Sequence, residues 1–226
     1  METGILAIWN DCAPAGRDAY ERWYTEEHLP ERVGLPGFRS GRRYERIEGD
    51  REYFTFYETE APEVLASPAY LERLANPTPR TQAIMPHFAR MSRTVCRRRA
   101  HLGHMMGGIA LTLAIESPVD AAGALEDGDL RALRQEPGVC SVQLWSAALE
   151  LATGKTPEST LRGGQDETVA AVLLVETSRI DEARHVRESG ALGVLLRRLG
   201  GERRVETGIY RLLCLLEQSA LAGSRP

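Results

Sequence analysis

The stretch Asp18-Ala-Tyr20-Glu-Arg-Trp23-Tyr24-Thr-Glu-Glu-His28-Leu-Pro30-Glu-Arg-Val-Gly-Leu-Pro36-Gly37-Phe38-Arg-Ser-Gly-Arg42-Arg43-Tyr44 decides how the chain is organised. Tyr20, Tyr24 and His28 recur every fourth residue with Trp23 beside them, so a helix presents all four from one side. Pro30 is expected to stop that helix, since proline lacks the donor that an inner turn uses. Pro36-Gly37 then turns the chain into a strand from Phe38 to Ile47, with Arg42 and Tyr44 on one face and Arg43 and Glu45 on the other.

Working outward, Gly4 to Trp9 is a short apolar run that suits a buried strand. Glu52 to Glu58 is an aromatic-rich strand paired back through Gly49-Asp50, Pro62 to Leu74 is helical, and Met91 to Arg99 is a fourth strand. The order is βαββαβ. The second half runs the same way: strand Gly107 to Ile115, helix Ala121 to Arg134, strand Val139 to Leu149, strand Thr168 to Glu176, helix Asp181 to Leu199 and strand Val205 to Leu216. A polar loop from Thr153 to Gln165 sits between its middle strands. Pro36-Gly37-x-x-Ser40-x-x-x-Tyr44 aligns with Pro137-Gly138-x-x-Ser141-x-x-x-Trp145, and Tyr57-Glu58-Thr59 aligns with Val175-Glu176-Thr177. A duplicated unit follows.

Each βαββαβ unit is the split ferredoxin-like motif, a four-stranded antiparallel sheet with helices on one face. The expected class is therefore α+β: two such repeats packed sheet to sheet as an internal pseudo-dimer, one closed barrel-like body. Residues 1–100 form the first repeat and carry the candidate site, 101–106 a linker, 107–218 a degenerate second repeat, and 219–226 a disordered tail. Further homodimerisation is left open.

Bulk properties narrow the function. A net charge of −4 gives no electrostatic reason to expect nucleic acid or an anionic membrane as partner. No apolar run approaches a membrane span, and no signal peptide is legible. The cysteines, Cys12, Cys96, Cys140 and Cys214, form no Cys-x-x-Cys pair and read as buried reduced thiols, which suits the cytoplasm. No phosphate loop, dinucleotide fingerprint or nucleophile elbow is present. His101-x-x-His104 falls in the linker and lacks a second ligand pair, so no metal is expected.

Trp23-Tyr24-x-x-x-His28-Leu-Pro30, with Pro36-Gly37-Phe38, Arg43-Tyr44 and Ser67-Pro68-x-Tyr70, resembles the EthD-like branch of the dimeric α+β barrel superfamily. The resemblance spans residues 4–99. It implies a small-molecule enzyme using cofactor-independent acid/base chemistry on a hydrophobic, aromatic or polyketide-like substrate, as isomerase, lyase, cyclase or monooxygenase. The alternative is a non-catalytic metabolite-binding or stress-related protein of the same fold. Related tandem barrels hold haem through a second-half histidine, for which His185 is the counterpart, but its charged neighbours read as a solvated face, so no cofactor is expected.

His28 is the catalytic candidate, because imidazole titrates near neutrality and Glu27 or Glu31 could orient it. Its alternative role is to bond free carbonyls at the helix end. Tyr20, Trp23 and Tyr24 would wall a pocket for a planar ligand or simply fill core. Of Arg42 and Arg43, one must point inward, towards a structural carboxylate such as Glu58 or towards an anionic substrate.

Overall fold

The computed structural model describes residues 2–116, 125, 127–152, 154–163, 166–199 and 205–222. Eight strands form a closed antiparallel barrel: β1 (Gly4–Cys12), β2 (Phe38–Glu48), β3 (Tyr53–Thr59), β4 (Phe88–Gly103), β5 (Ile109–Ile115), β6 (Val139–Ala147), β7 (Ala171–Thr177) and β8 (Val205–Glu217). Around the ring the order is β1-β3-β2-β8-β5-β7-β6-β4. The first four strands and the last four are joined by two seams. Ser40 to Glu48 of β2 pairs with β8, and Cys96 to Gly103 of β4 pairs with β6. Closure leaves the sheet without the exposed edges that an open one must protect.

Strand alternation sorts side chains into layers. Trp9, Tyr44, Phe54, Phe56, Trp145 and Tyr210 fill the barrel interior. The outer faces are covered by helices. Over the first half lie α1 (Arg17–Trp23), α2 (Leu29–Val33), α3 (Pro68–Ala75) and α4 (Pro79–Ile84), and over the second α5 (Asp127–Gln135), α7 (Ile180–Glu188) and α8 (Gly190–Arg198). The short α6 (Pro157–Arg162) lies in the segment between β6 and β7. Gly37 and Gly138 hold φ of 84° and 72° in the two Pro-Gly turns, a conformation in which a side chain is strained.

Several sequence expectations are corrected. Pro30 does not end its helix: Tyr24–His28 forms a π turn, in which the Leu29 N–H donates to the Tyr24 carbonyl, and the chain continues as α2 with Pro30 in its first turn. The wider turn accommodates a ring that would collide with an ordinary α-helical carbonyl. β4 starts earlier and ends later than expected, so His101, Leu102 and Gly103 belong to the barrel, paired with Gln143, Val142 and Ser141, and not to a linker. Residues 219–222 are not disordered, since they lie in helix α9 (Gln218–Ala222), and Gln218 Nε2 donates to the Leu35 carbonyl at 2.9 Å. The expected second-half helix is seen from Asp127 onward, and its start at 121–124 lies outside the described residues, as do 223–226.

Candidate functional site

A cavity of about 590 Å³ opens between the outer face of the first half's strands and its helices. Leu6, Ile8 and Tyr57 form its floor, and Tyr24, His28 and Arg32 project from the α1–π turn–α2 rod. Leu74, Met85 and Phe88 supply apolar walls. The segment between β6 and β7 brings second-half residues over it, among them Lys155, Glu158, Arg162 and Asp166. That segment is held locally by a reciprocal cap at the start of α6. Thr156 Oγ1 accepts from the Ser159 N–H at 3.1 Å, and Ser159 Oγ accepts from the Thr156 N–H at 2.8 Å. It is latched to the first half by the buried pair Arg32–Glu158 at 2.5 Å.

His28 is 6% exposed and lines the cavity. Its ring stacks on Trp23 with centroids 4.1 Å apart and meets Tyr24 edge-on at 5.1 Å. Nδ1 is buried with no hydrogen-bond partner. Burial, and after it the charges of Arg32, Arg162 and Arg43, hold the imidazole pKa well below its usual value, so the ring is neutral at neutral pH. Neither expected orienting carboxylate reaches it. Glu27 accepts from Thr78 and Thr81, while Glu31 pairs with Arg32 at 3.4 Å and Arg73 at 3.0 Å. The helix-cap alternative also fails, because the helix runs on past His28 and its buried Nδ1 bonds no carbonyl.

The other sequence candidates divide. Tyr24 joins His28 on the cavity wall, its hydroxyl donating to Thr55 Oγ1 at 3.3 Å. Tyr20 and Trp23 are fully buried behind it, Tyr20 beside Asn10 and Trp23 donating through Nε1 to Thr81 Oγ1 at 3.1 Å. Arg43 leaves the barrel on the helix side, where Glu21 binds it bidentately at 2.6 and 3.0 Å under the rings of Tyr20, Tyr24 and Tyr53. Arg42 turns into the barrel over Phe56, 3.0 Å from Glu176 and 3.9 Å from Glu58. The carboxylate reading thus holds for both arginines, and neither lines the cavity. Arg32, Lys155, Glu158 and Arg162 do line it and had no individual signal in the sequence. The one available hint was the long polar insertion from Thr153 to Gln165.

Charge on the cavity wall is uneven. Among the described lining residues, four cations, Arg32, Arg93, Lys155 and Arg162, stand against two carboxylates, Glu158 and Asp166. His185, by contrast, is an exposed residue of α7 whose Nε2 lies 3.1 Å from Glu136.

No family model and no curated protein sequence matches the chain. Solved structures do match. An anthrone oxidase-like protein shares 10% identity with a TM-score of 0.70, over 96% of this chain and 93% of its own. A candidate monooxygenase from Fusobacterium nucleatum shares 9% with a TM-score of 0.57, over 96% and 95%. A chlorite dismutase mutant from Candidatus Nitrospira defluvii shares 11% with a TM-score of 0.50, over 92% and 90%. A heme-binding protein from Thermus thermophilus shares 11% with a TM-score of 0.49, over 99% and 95%. The expectation that no cofactor is used does not stand, since a chlorite dismutase is among the structures that share this fold. The chain has the fold of the dimeric α+β barrel superfamily, among whose structures are anthrone oxidase-like and monooxygenase-like proteins.

Proposed function

We propose that the protein is an enzyme that binds a hydrophobic, aromatic small molecule in the first-half cavity and moves a proton with His28. The observation that carries this reading is that His28 is the one imidazole on the cavity wall among the described residues, and it is neutral. A neutral imidazole accepts a proton from an acidic C–H or O–H of the substrate at Nε2, the nitrogen not sealed off by packing. The electron pair left behind spreads into the substrate's carbonyl or ring system. Imidazolium and substrate anion then form together, so neither charge stands alone in an apolar site, and the surrounding cations stabilise the developing negative charge. Arg32, tied to Glu158, fixes the wall geometry. The anthrone oxidase-like neighbour makes anthrone the first substrate to try. His28→Gln in a folded protein is expected to lower turnover roughly 10²- to 10⁴-fold; unchanged turnover sinks the reading. A non-catalytic binding protein is the second reading, favoured by the missing carboxylate on His28, and it gains if the variant keeps full affinity while neither form turns anthrone over.

The cavity also has what a haem would use: His28 as an imidazole ligand, apolar walls, and Arg162 and Lys155 to meet propionates. Bound there, haem would supply one-electron and oxygen chemistry. Haemin titration with loss of the Soret shift in His28→Ala tests that fit.

The finer architecture belongs to the same proposal: a tandem ferredoxin-like duplication acting as a pseudo-dimer, with the site in the first repeat and the second serving as built-in partner. The matching strand order of the two halves and the two Pro-Gly turns support it. Residues 23–44 support the EthD-like branch, and free thiols suit a cytoplasmic setting.

A further inference from the structure

We propose that the cavity selects an organic acid: a flat apolar body bearing one carboxylate or similar acidic group, held at the mouth by Lys155 and Arg162. The inference rests on reading this cavity as the ligand site. Its four cationic side chains are not equally occupied. Arg32 is taken up by Glu158 at 2.5 Å and Glu31 at 3.4 Å. Arg93 donates to the Tyr70 hydroxyl at 2.8 Å. Arg162 meets Asp166 through Nη2 at 2.7 Å and Glu158 through Nη1 at 3.9 Å, while its Nε is buried with no hydrogen-bond partner. Lys155 has no ion pair among the described residues, and it is the only lysine in a chain of 28 basic residues. It also lines a shallow outer groove together with Ala152, Gly154 and Thr156, which places it where the cavity meets the surface.

An ammonium at the mouth adds a mobile point charge with three donors, able to follow an acid group that the rigid guanidinium fork cannot. The inner walls, Leu74, Met85 and Phe88, offer no partner for a second charge. The acid end of the ligand therefore sits under the second-half segment and the apolar end beside His28. In that arrangement the second half chooses the substrate and the first half acts on it.

The test uses a matched pair, 2-naphthoate and neutral 2-naphthamide, titrated calorimetrically into the full-length protein at low salt. Naphthoate is expected to bind about tenfold tighter, the worth of one charged hydrogen bond. Lys155→Glu, on an exposed side chain that keeps the fold, is expected to erase that preference, and Arg162→Gln, with its unfolding midpoint checked, to reduce it. Equal affinity for the two probes in the parent protein overturns the acid assignment and leaves the aromatic cavity standing. A preference that survives Lys155→Glu overturns the placement of the acid group. Failure of both probes to bind overturns the inference and the cavity reading together.

Discussion

The two layers between sheet and helices are built from opposite materials. In the second half the layer is wholly aliphatic among the described residues: Leu111, Leu113, Leu130, Leu173 and Leu195 are each at most 2% exposed, and no ring intervenes. In the first half Tyr20, Trp23, Tyr24, Tyr57, Tyr70 and Phe88 fill the same level. Branched aliphatic chains interdigitate to crystal-like density, whereas stiff rings locked by edge-on contacts and hydroxyl bonds resist collapse. The cavity lies in the aromatic layer. One half of the barrel therefore supplies stability and the other can keep an empty volume.

The largest expected effect comes from cutting the contact between these regions. Arg32→Met takes the short ion pair from the buried Glu158, leaving it Arg162 at 3.9 Å, and is expected to cost about 3–5 kcal/mol in denaturant unfolding. A loss below about 1 kcal/mol would show that the latch is not closed in solution.

Next, truncation should hurt the aliphatic layer more. Leu173→Ala, fully buried, is expected to cost about 2–5 kcal/mol. Leu74→Ala, on the cavity wall, should cost distinctly less, because its methyl groups already face a void. Equal losses would dissolve the contrast.

The smallest effect is a pH dependence confined to the aromatic layer. Because burial holds the folded His28 pKa below its unfolded value, the unfolded chain binds a proton that the folded one refuses. Stability should therefore fall as pH drops below about 6.5, with a slope approaching 1.4 kcal/mol per unit. In His28→Gln that contribution disappears, so the two stability curves should diverge only on the acid side; parallel curves would mean that the ring protonates freely in the fold.

The barrel was legible because its strands alternate and its turns carry Pro-Gly at matched places. Alternation also separated Arg42 from Arg43, though it could not say that both would find carboxylates, since Glu21 and Glu176 reach them across helix and seam contacts. His28 and Tyr24 were recognisable as a pair by helical spacing. Arg32 with Glu158 was not, because that contact joins residues 126 apart and local patterning carries nothing over such a distance. The boundaries of β4 were missed for a related reason: the pairing partner of His101–Gly103 lies in the other half.

The turn at Tyr24–His28 has a last consequence, best put as a matter of phase. In an unbroken α-helix each residue advances about 100°, so Glu31 would return to within about 20° of Tyr24 and Arg32 would stand off by about 80°. The one extra residue in the widened turn sets the helix back by one step, and Arg32 joins Tyr24 and His28 on the cavity wall instead. The sign of the charge that greets a ligand is thus fixed by a slip of the main chain, upstream of any choice of side chain.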